Sequence, residues 1–439
     1  MNALLLVSLL LVADPPAKPA PPSAEPKNVP ATRTEIKDAL EAHKTARPRL
    51  PFPPATENDK NAISRVNNGR FRAYYLPSDA RDGGFSREPD PAMTLDSTFK
   101  VKLFWVTSRV NNCYYCLGHQ EHKLMAAGVS DDDIGALDGN CDKLKTEEKA
   151  AVLFTRKLTY EPHKLAPADI ADLGKHFTPT QCAEILVTVA GYNATNRWTD
   201  GLNIPGEMSG DFFRKADSKV DFSTFKTVTS ATYKDFVSKV APIAAGASQA
   251  GLPGWDVRPK LEDRATVEAM WKECRTRTPI LPLADAEAAK AINGDTTNWV
   301  RALTLFPKAM RGRAVGLKAA QDKGKLSPRI KAEIAWVASR EDRAWYAANI
   351  AYERLKALGF SDDEVFALDG EAKDLPEKER LTLAVARKLA AAPATVTDVD
   401  IEGLRKHFSD FEVAEIVYTV CNAAFFNRVT EAYRLPLDR

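Results

Sequence analysis

The stretch Asn111-Asn112-Cys113-Tyr114-Tyr115-Cys116-Leu117-Gly118-His119-Gln120-Glu121-His122 carries the densest reactive chemistry in the chain. Two cysteines stand three apart, and histidines follow at further steps of three. The surrounding run from Leu103 to Gly128 has no proline, no period-two alternation and a terminal glycine, which predicts one continuous helix. On such a helix positions 113, 116, 119/120 and 123 share a face, so both thiols and an imidazole can meet. A thiol reacts as its thiolate and needs a neighbour or a helix end to form it. His119, one turn beyond Cys116, is placed to take that proton. Cys113, one turn before, is placed to close a disulfide on an oxidised Cys116.

Competing chemistries are weighed on the same residues. Haem attachment needs histidine directly after the second cysteine, where Leu117 stands. A zinc site of Cys113, Cys116, His119 and His122 has suggestive spacing, but four ligands along one straight helix cannot surround a tetrahedral ion. No metal or other cofactor is therefore expected, only a redox-active Cys113–Cys116 disulfide. A static bridge in a non-catalytic scaffold or interaction protein stays open as the alternative. Such a bridge between adjacent turns restrains little of the unfolded chain and adds little stability.

Sliding the chain on itself shows what the stretch belongs to. At an offset of 231 residues Ser108-Arg109 meets Ser339-Arg340, and Ala136-Leu137-Asp138-Gly139 meets Ala367-Leu368-Asp369-Gly370. Lys175-His176-Phe177 meets Lys406-His407-Phe408, and Asn196-Arg197 meets Asn427-Arg428. The register runs without a gap from 94–205 onto 325–436, and Pro48-Arg49-Leu50-Pro51 against Pro279-Ile280-Leu281-Pro282 carries it upstream. This is a duplicated domain. In the second copy Cys113, Cys116, His119, Gln120 and His122 become Ala344, Ala347, Ile350, Ala351 and Glu353. Reactive positions are erased while the scaffold around them is kept. Residues kept in both copies (Arg109, Asn196, Arg197, His176) read as structural.

Both copies read as helical. Ser130-Asp131-Asp132-Asp133 and Ser361-Asp362-Asp363-Glu364 are N-terminal capping patterns, and Gly128 and Gly359 close the preceding helices. With no convincing strand pattern, the fold class is all-α, two tandem helical domains expected to form a pseudo-dimer.

Length and composition set the frame. A chain of 439 residues suggests two or three domains, and 44% hydrophobic with 27% charged residues describes a globular protein. Lysine plus arginine (61) balances aspartate plus glutamate (59), so no nucleic-acid partner is expected. Six cysteines exclude a disulfide-dense scaffold; Cys141, Cys182, Cys274 and Cys421 read as small buried hydrophobes. Ala3 to Ala13 is an apolar run of signal-peptide length, too short to span a bilayer, which predicts export to a periplasmic or extracellular site. The expected organisation is a signal peptide at 1–13 and a Pro-rich solvated tether at 14–31. A cysteine-bearing domain at 32–206, a tail and linker at 207–262 and a cysteine-free domain at 263–439 follow. No integral membrane span is expected.

Ser108-Arg109-Val110-Asn111-Asn112-Cys113-Tyr114-Tyr115-Cys116-Leu117-Gly118-His119, with Ala127-Gly128-Val129-Ser130-Asp131 and Asn193-Ala194-Thr195-Asn196-Arg197, resembles the alkylhydroperoxidase (AhpD-like) and carboxymuconolactone decarboxylase superfamily. The resemblance covers about 100–205 and, without cysteines, 331–436. It implies an all-α fold, tight pairing of copies, and peroxide reduction or disulfide exchange with an unspecified thiol reductant, with Cys116 peroxidatic and Cys113 resolving. It leaves open a higher homo-oligomer. Two departures stand out. The family's histidine falls where this chain has Gln120, and its relay glutamate falls near Val101-Lys102. His119, with Glu121 or Glu184 as the acid, is the expected substitute.

Overall fold

The computed structural model describes residues 22–54, 66–78, 90–207 and 260–438. Among them are eighteen α-helices, two short 3-10 turns and no strand. The signal-peptide segment and most of the tail and linker expected at 207–262 lie outside the described residues.

The first half holds α1 (Arg33–His43), α2 (Asn67–Tyr75), α3 (Ser97–Val110), α4 (Tyr114–Ala126), α5 (Asp131–Ala136), α6 (Thr146–Tyr160), α7 (Pro167–Gly174) and α8 (Pro179–Gly201). The second holds α9 (Arg264–Arg275), α10 (Ala286–Asn293), α11 (Asn298–Leu303), α12 (Pro307–Asp322), α13 (Pro328–Asp342), α14 (Trp345–Ala357), α15 (Asp362–Ala367), α16 (Glu377–Ala391), α17 (Asp398–Arg405) and α18 (Asp410–Ala432). The starts follow from local chemistry. Thr178 and Gln181 form a capping box at α8, as Ser409 and Glu412 do at α18, and Ser361 and Glu364 do at α15.

Helices α8 and α18 are 23 residues each and apolar around most of their circumference, the pattern of a helix surrounded by protein. They pack on each other at the centre. The Cβ that Gly201 lacks would stand 2.9 Å from the Val417 side chain, so α8 closes on the second half only without one. Buried Arg197 donates to the Ala390 carbonyl at 2.7 Å, and Arg428 donates to the Thr159 carbonyl at 2.7 Å. Each donor and each acceptor is separated from its equivalent by the same 231 residues. The two halves exchange one bond reciprocally, as an isologous contact does.

The duplication reaches beyond the aligned run. Arg49 N–H bonds the Leu202 carbonyl at 2.9 Å, and Ile280 N–H bonds the Tyr433 carbonyl at 3.1 Å. Arg109 Nε and Arg340 Nε each bond the aspartate of the Ala-Leu-Asp-Gly motif, Asp138 and Asp369, at 2.9 Å.

The single helix expected from Leu103 to Gly128 is two. α3 ends at Val110, Asn112 takes φ +54°, and α4 starts after Cys113. Asparagine tolerates this left-handed conformation, and its amide donates to the Asn28 carbonyl at 2.7 Å. The second copy bends at the same place on Arg343 (φ +48°). Cys113 N–H to Ser108 C=O (2.8 Å) and Ala344 N–H to Ser339 C=O (2.9 Å) are the same bond in each. The bend belongs to the scaffold, and its consequence for the cysteines is large.

Candidate functional site

Because of the bend, Cys113 is the N-cap of α4 rather than a residue within a helix, and Cys116 stands in its first turn. Cys113 makes no side-chain capping bond. Its thiol therefore lies where the unpaired N–H groups and positive end of a helix favour an anion. Both cysteines are free thiols and essentially inaccessible. Thr199, on α8, sets Oγ1 at 3.1 Å from Cys113 Sγ and 3.4 Å from Cys116 Sγ. That oxygen also lies 3.1 Å from the Thr195 and Asn196 carbonyls. Either the hydroxyl or the thiol can donate in each of these two sulfur contacts.

Asp200, the next residue, is close enough for its charge to act on Cys113. Its Oδ1 pairs with Lys27 Nζ at 2.8 Å, while Oδ2 is buried with no hydrogen-bond partner among the described residues. Burial raises the Asp200 carboxyl above its ordinary value, against the pull of Lys27 and Arg49. Burial likewise pushes the Cys113 thiol well up, reinforced by its hydrogen bond with Cys116 and by the Asp200 charge.

One turn past Cys116, His119 Nε2 lies 2.6 Å from Glu207 Oε2. Glu207 also accepts from the Tyr115 hydroxyl (2.9 Å) and from Asn67 N–H at the start of α2 (2.7 Å). Burial alone would raise this carboxyl, but His119, Asn67 and Tyr115 together hold it below its ordinary value. The Tyr115 ring lies 4.5 Å from the His119 ring, so it fixes the imidazole as well as packing the core.

The carboxylate paired with His119 is thus Glu207, and not Glu121 or Glu184 as expected from the sequence. Glu121 is buried under Arg33 (2.5 and 2.9 Å) and the Trp105 indole N–H (2.9 Å). Glu184 accepts from Lys100 Nζ and from the backbone of Thr94 and Leu95. Its equivalent Glu415 is held by Lys331, Lys325 and Leu326 in the same way, so Glu184 is a structural staple of both copies. Gln120 turns its amide N–H to the Cys116 carbonyl at 3.3 Å, leaving Oε1 buried without a partner among the described residues.

His122 is turned away from the solvent, and burial, with repulsion from His119 and Lys44, lowers it to about 4. The unfolded chain, with His122 near 6.5, then binds more protons between those values, so stability falls as pH drops from about 6.5 to about 4. The term is on the order of 3 kcal/mol when fully developed. His122→Asn is expected to flatten the acid limb of stability measured by urea unfolding at stepped pH. An unchanged limb would remove His122 from that role.

Glu207 had been assigned to the linker, but it has an equivalent. Asp438, offset by the same 231 residues, accepts from the Tyr346 hydroxyl and from Asn298 N–H (2.9 Å). Asn67 Nδ2 and Asn298 Nδ2 each close the clasp onto a proline carbonyl, Pro205 and Pro436 (3.0 and 3.1 Å). Extending the repeat two residues past 205 and 436 would have found it. What the first copy adds is His119.

At the cysteine position the second copy does something different. Glu431, the equivalent of Asp200, sends Oε1 to the N–H groups of Trp345 (2.6 Å) and Tyr346 (3.4 Å), filling the N-terminus of α14. In the first copy the carboxylate is one methylene shorter and makes no such bond, and the sulfurs occupy that end of α4.

Residues 22–31, expected as part of a solvated tether, lie over this site. Asn28 C=O accepts from Asn112 and from the Tyr114 hydroxyl, and Arg109 donates to Pro30 C=O at 2.5 Å. Lys27 N–H reaches Ala394 C=O in the second half at 3.3 Å. Among the described residues no group of three or more His, Cys, Asp or Glu is placed to hold a metal ion, and no helix is long and apolar enough to cross a membrane.

No family profile matches the chain, and no curated protein matches it.

Proposed function

We propose that this chain is a thiol-dependent peroxidase, with disulfide exchange through the same two thiols, and that its two halves act as an intramolecular pseudo-dimer with one reactive site. The observation that carries the reading is the His119–Glu207 pair one turn beyond a dithiol at an open helix end. Cys116, as thiolate, attacks one oxygen of a hydroperoxide. An S–O bond forms, the O–O bond breaks, and the departing oxygen leaves as alcohol or water with a proton from His119, which Glu207 orients. Cys113 then attacks the Cys116 sulfur: an S–S bond forms, the S–O bond breaks, and hydroxide leaves as water with the Cys113 proton, passed through Asp200. A thiol reductant restores the dithiol. The buried sulfurs and the covering 22–31 segment favour a small hydroperoxide over the disulfide of a folded protein. The reciprocal Arg197 and Arg428 bonds support the pseudo-dimer.

Thiol titration in denaturant tests the reading. Reduced protein carries six thiols per chain. One equivalent of hydrogen peroxide should leave two fewer, with both missing thiols in the peptide that spans Cys113 and Cys116. If all six survive a large excess of hydrogen and organic peroxides, the chain is not a peroxidase. Glu207→Gln should slow the oxidation by about 10²-fold while leaving the final thiol count unchanged.

A further inference from the structure

The second half holds a cavity at the position where the first half holds its reactive residues. It measures about 80 Å³ and lies between α11, α12, α13, α14 and α18. Ala347, Ile350 and Ala351 line it, and these are the equivalents of Cys116, His119 and Gln120. Trp299 and Phe426, in an edge-to-face pair at 5.5 Å, supply aromatic surface. A water needs roughly 10–15 Å³ of such space, so this cavity exceeds one water several-fold, and its mostly apolar wall offers water few partners.

Two polar groups break that wall. Asn422 replaces the glycine at the equivalent position, Gly191. It is 8% exposed, and its Oδ1 is buried with no hydrogen-bond partner among the described residues. A scaffold drifting toward simple packing has no reason to gain an amide here, because an unpaired buried carbonyl is unfavourable. The second group, Arg354, is partly exposed. It donates through one terminal nitrogen to the Gln321 carbonyl (3.2 Å) and to Asp322 (3.4 Å). Asp322 is mostly in solvent and compensates the guanidinium weakly: burial outweighs it and lowers the Arg354 pKa. Lys331, the other cation of the lining, is already taken by Glu415 and the Ala320 carbonyl.

We infer that the second half is a binding site for a small organic anion: a carboxylate on a short branched or planar apolar body, carrying a hydroxyl or amine donor. The carboxylate pairs with Arg354, the body lies against Trp299, Phe426 and Ile350, and the donor satisfies Asn422 Oδ1. This site goes beyond the thiol chemistry and does not depend on it.

Isothermal calorimetry on the full chain with 2-hydroxy-4-methylpentanoate tests the inference. A dissociation constant of about 1 mM or tighter is expected. Removing the hydroxyl (4-methylpentanoate) or the carboxylate (3-methylbutan-1-ol) should weaken binding at least about tenfold each. Asn422→Ala should erase the preference for the hydroxyl, and Arg354→Gln the preference for the carboxylate. Ala351→Leu fills the space and should abolish binding; its thermal midpoint, held or raised, separates occupancy from misfolding. The Cys113→Ser/Cys116→Ser protein should bind as the wild type does. The inference is overturned if the probe does not bind, if the alcohol binds as well as the hydroxy acid, or if the folded Ala351→Leu protein binds unchanged.

Discussion

Cys116→Ser is expected to slow the reaction of the reduced protein with hydrogen peroxide on the order of 10³-fold or more, because a hydroxyl at ordinary pKa is a far weaker nucleophile than a thiolate. Cys113→Ser should behave differently. Its first step should persist, and the reaction should stop at a Cys116 sulfenic acid that a dimedone-type reagent traps as a covalent adduct. Stopped-flow mixing with intact-mass measurement reads both. The proposed order rests on one contrast: Cys113 contacts Thr199 and its thiol is raised by burial, whereas Cys116 lies one turn from the Glu207-paired imidazole. If Cys113→Ser loses the first step and Cys116→Ser keeps it, the roles are reversed and the assignment is wrong.

The other large effect concerns the joint between the halves. Arg428 is fully buried, 3.1 Å from a fully buried Asp342, and donates across the joint to Thr159. Arg428→Ala removes the cation beside Asp342, to which Asn427 still donates, and the donor to the Thr159 carbonyl, a loss of about 3–5 kcal/mol. Arg428→Met with Asp342→Leu removes both charges and refills the volume, and should recover most of that loss. Urea unfolding of the three proteins decides it. A loss under about 1 kcal/mol for Arg428→Ala would mean that the joint does not rest on the reciprocal bonds.

Much of this architecture was legible in the residues because its signals are local. The serine and threonine caps, the closing glycines and the 231-residue register each lie in a few adjacent positions, and they mark the helices and the duplication. The bend at Asn111–Cys113 carries no such signal. Neither proline nor glycine marks it, and an asparagine in one copy and an arginine in the other hold the left-handed residue. The carboxylate beside His119 was hidden for another reason. Glu207 lies 88 residues from His119 in sequence, just past the last matched pair of the repeat, and only tertiary packing brings the two together. The 22–31 segment has the composition of a linker, and its order comes from carbonyls that meet Asn112, Tyr114 and Arg109, which no composition can show.

Glu431 sets what restoring thiols to the second copy would require. A second copy that lost only its thiols could regain them by two substitutions, since the bend on Arg343 still presents the helix end. Once a carboxylate long enough to reach Trp345 and Tyr346 has settled there, a returning thiolate meets an occupied end and a like charge. Shortening the acid alone loses its bonds to Trp345 and Tyr346 and disturbs its pair with Arg277. The two halves thus share a bend and a helix end and differ in what fills it: sulfurs in one copy, a carboxylate in the other.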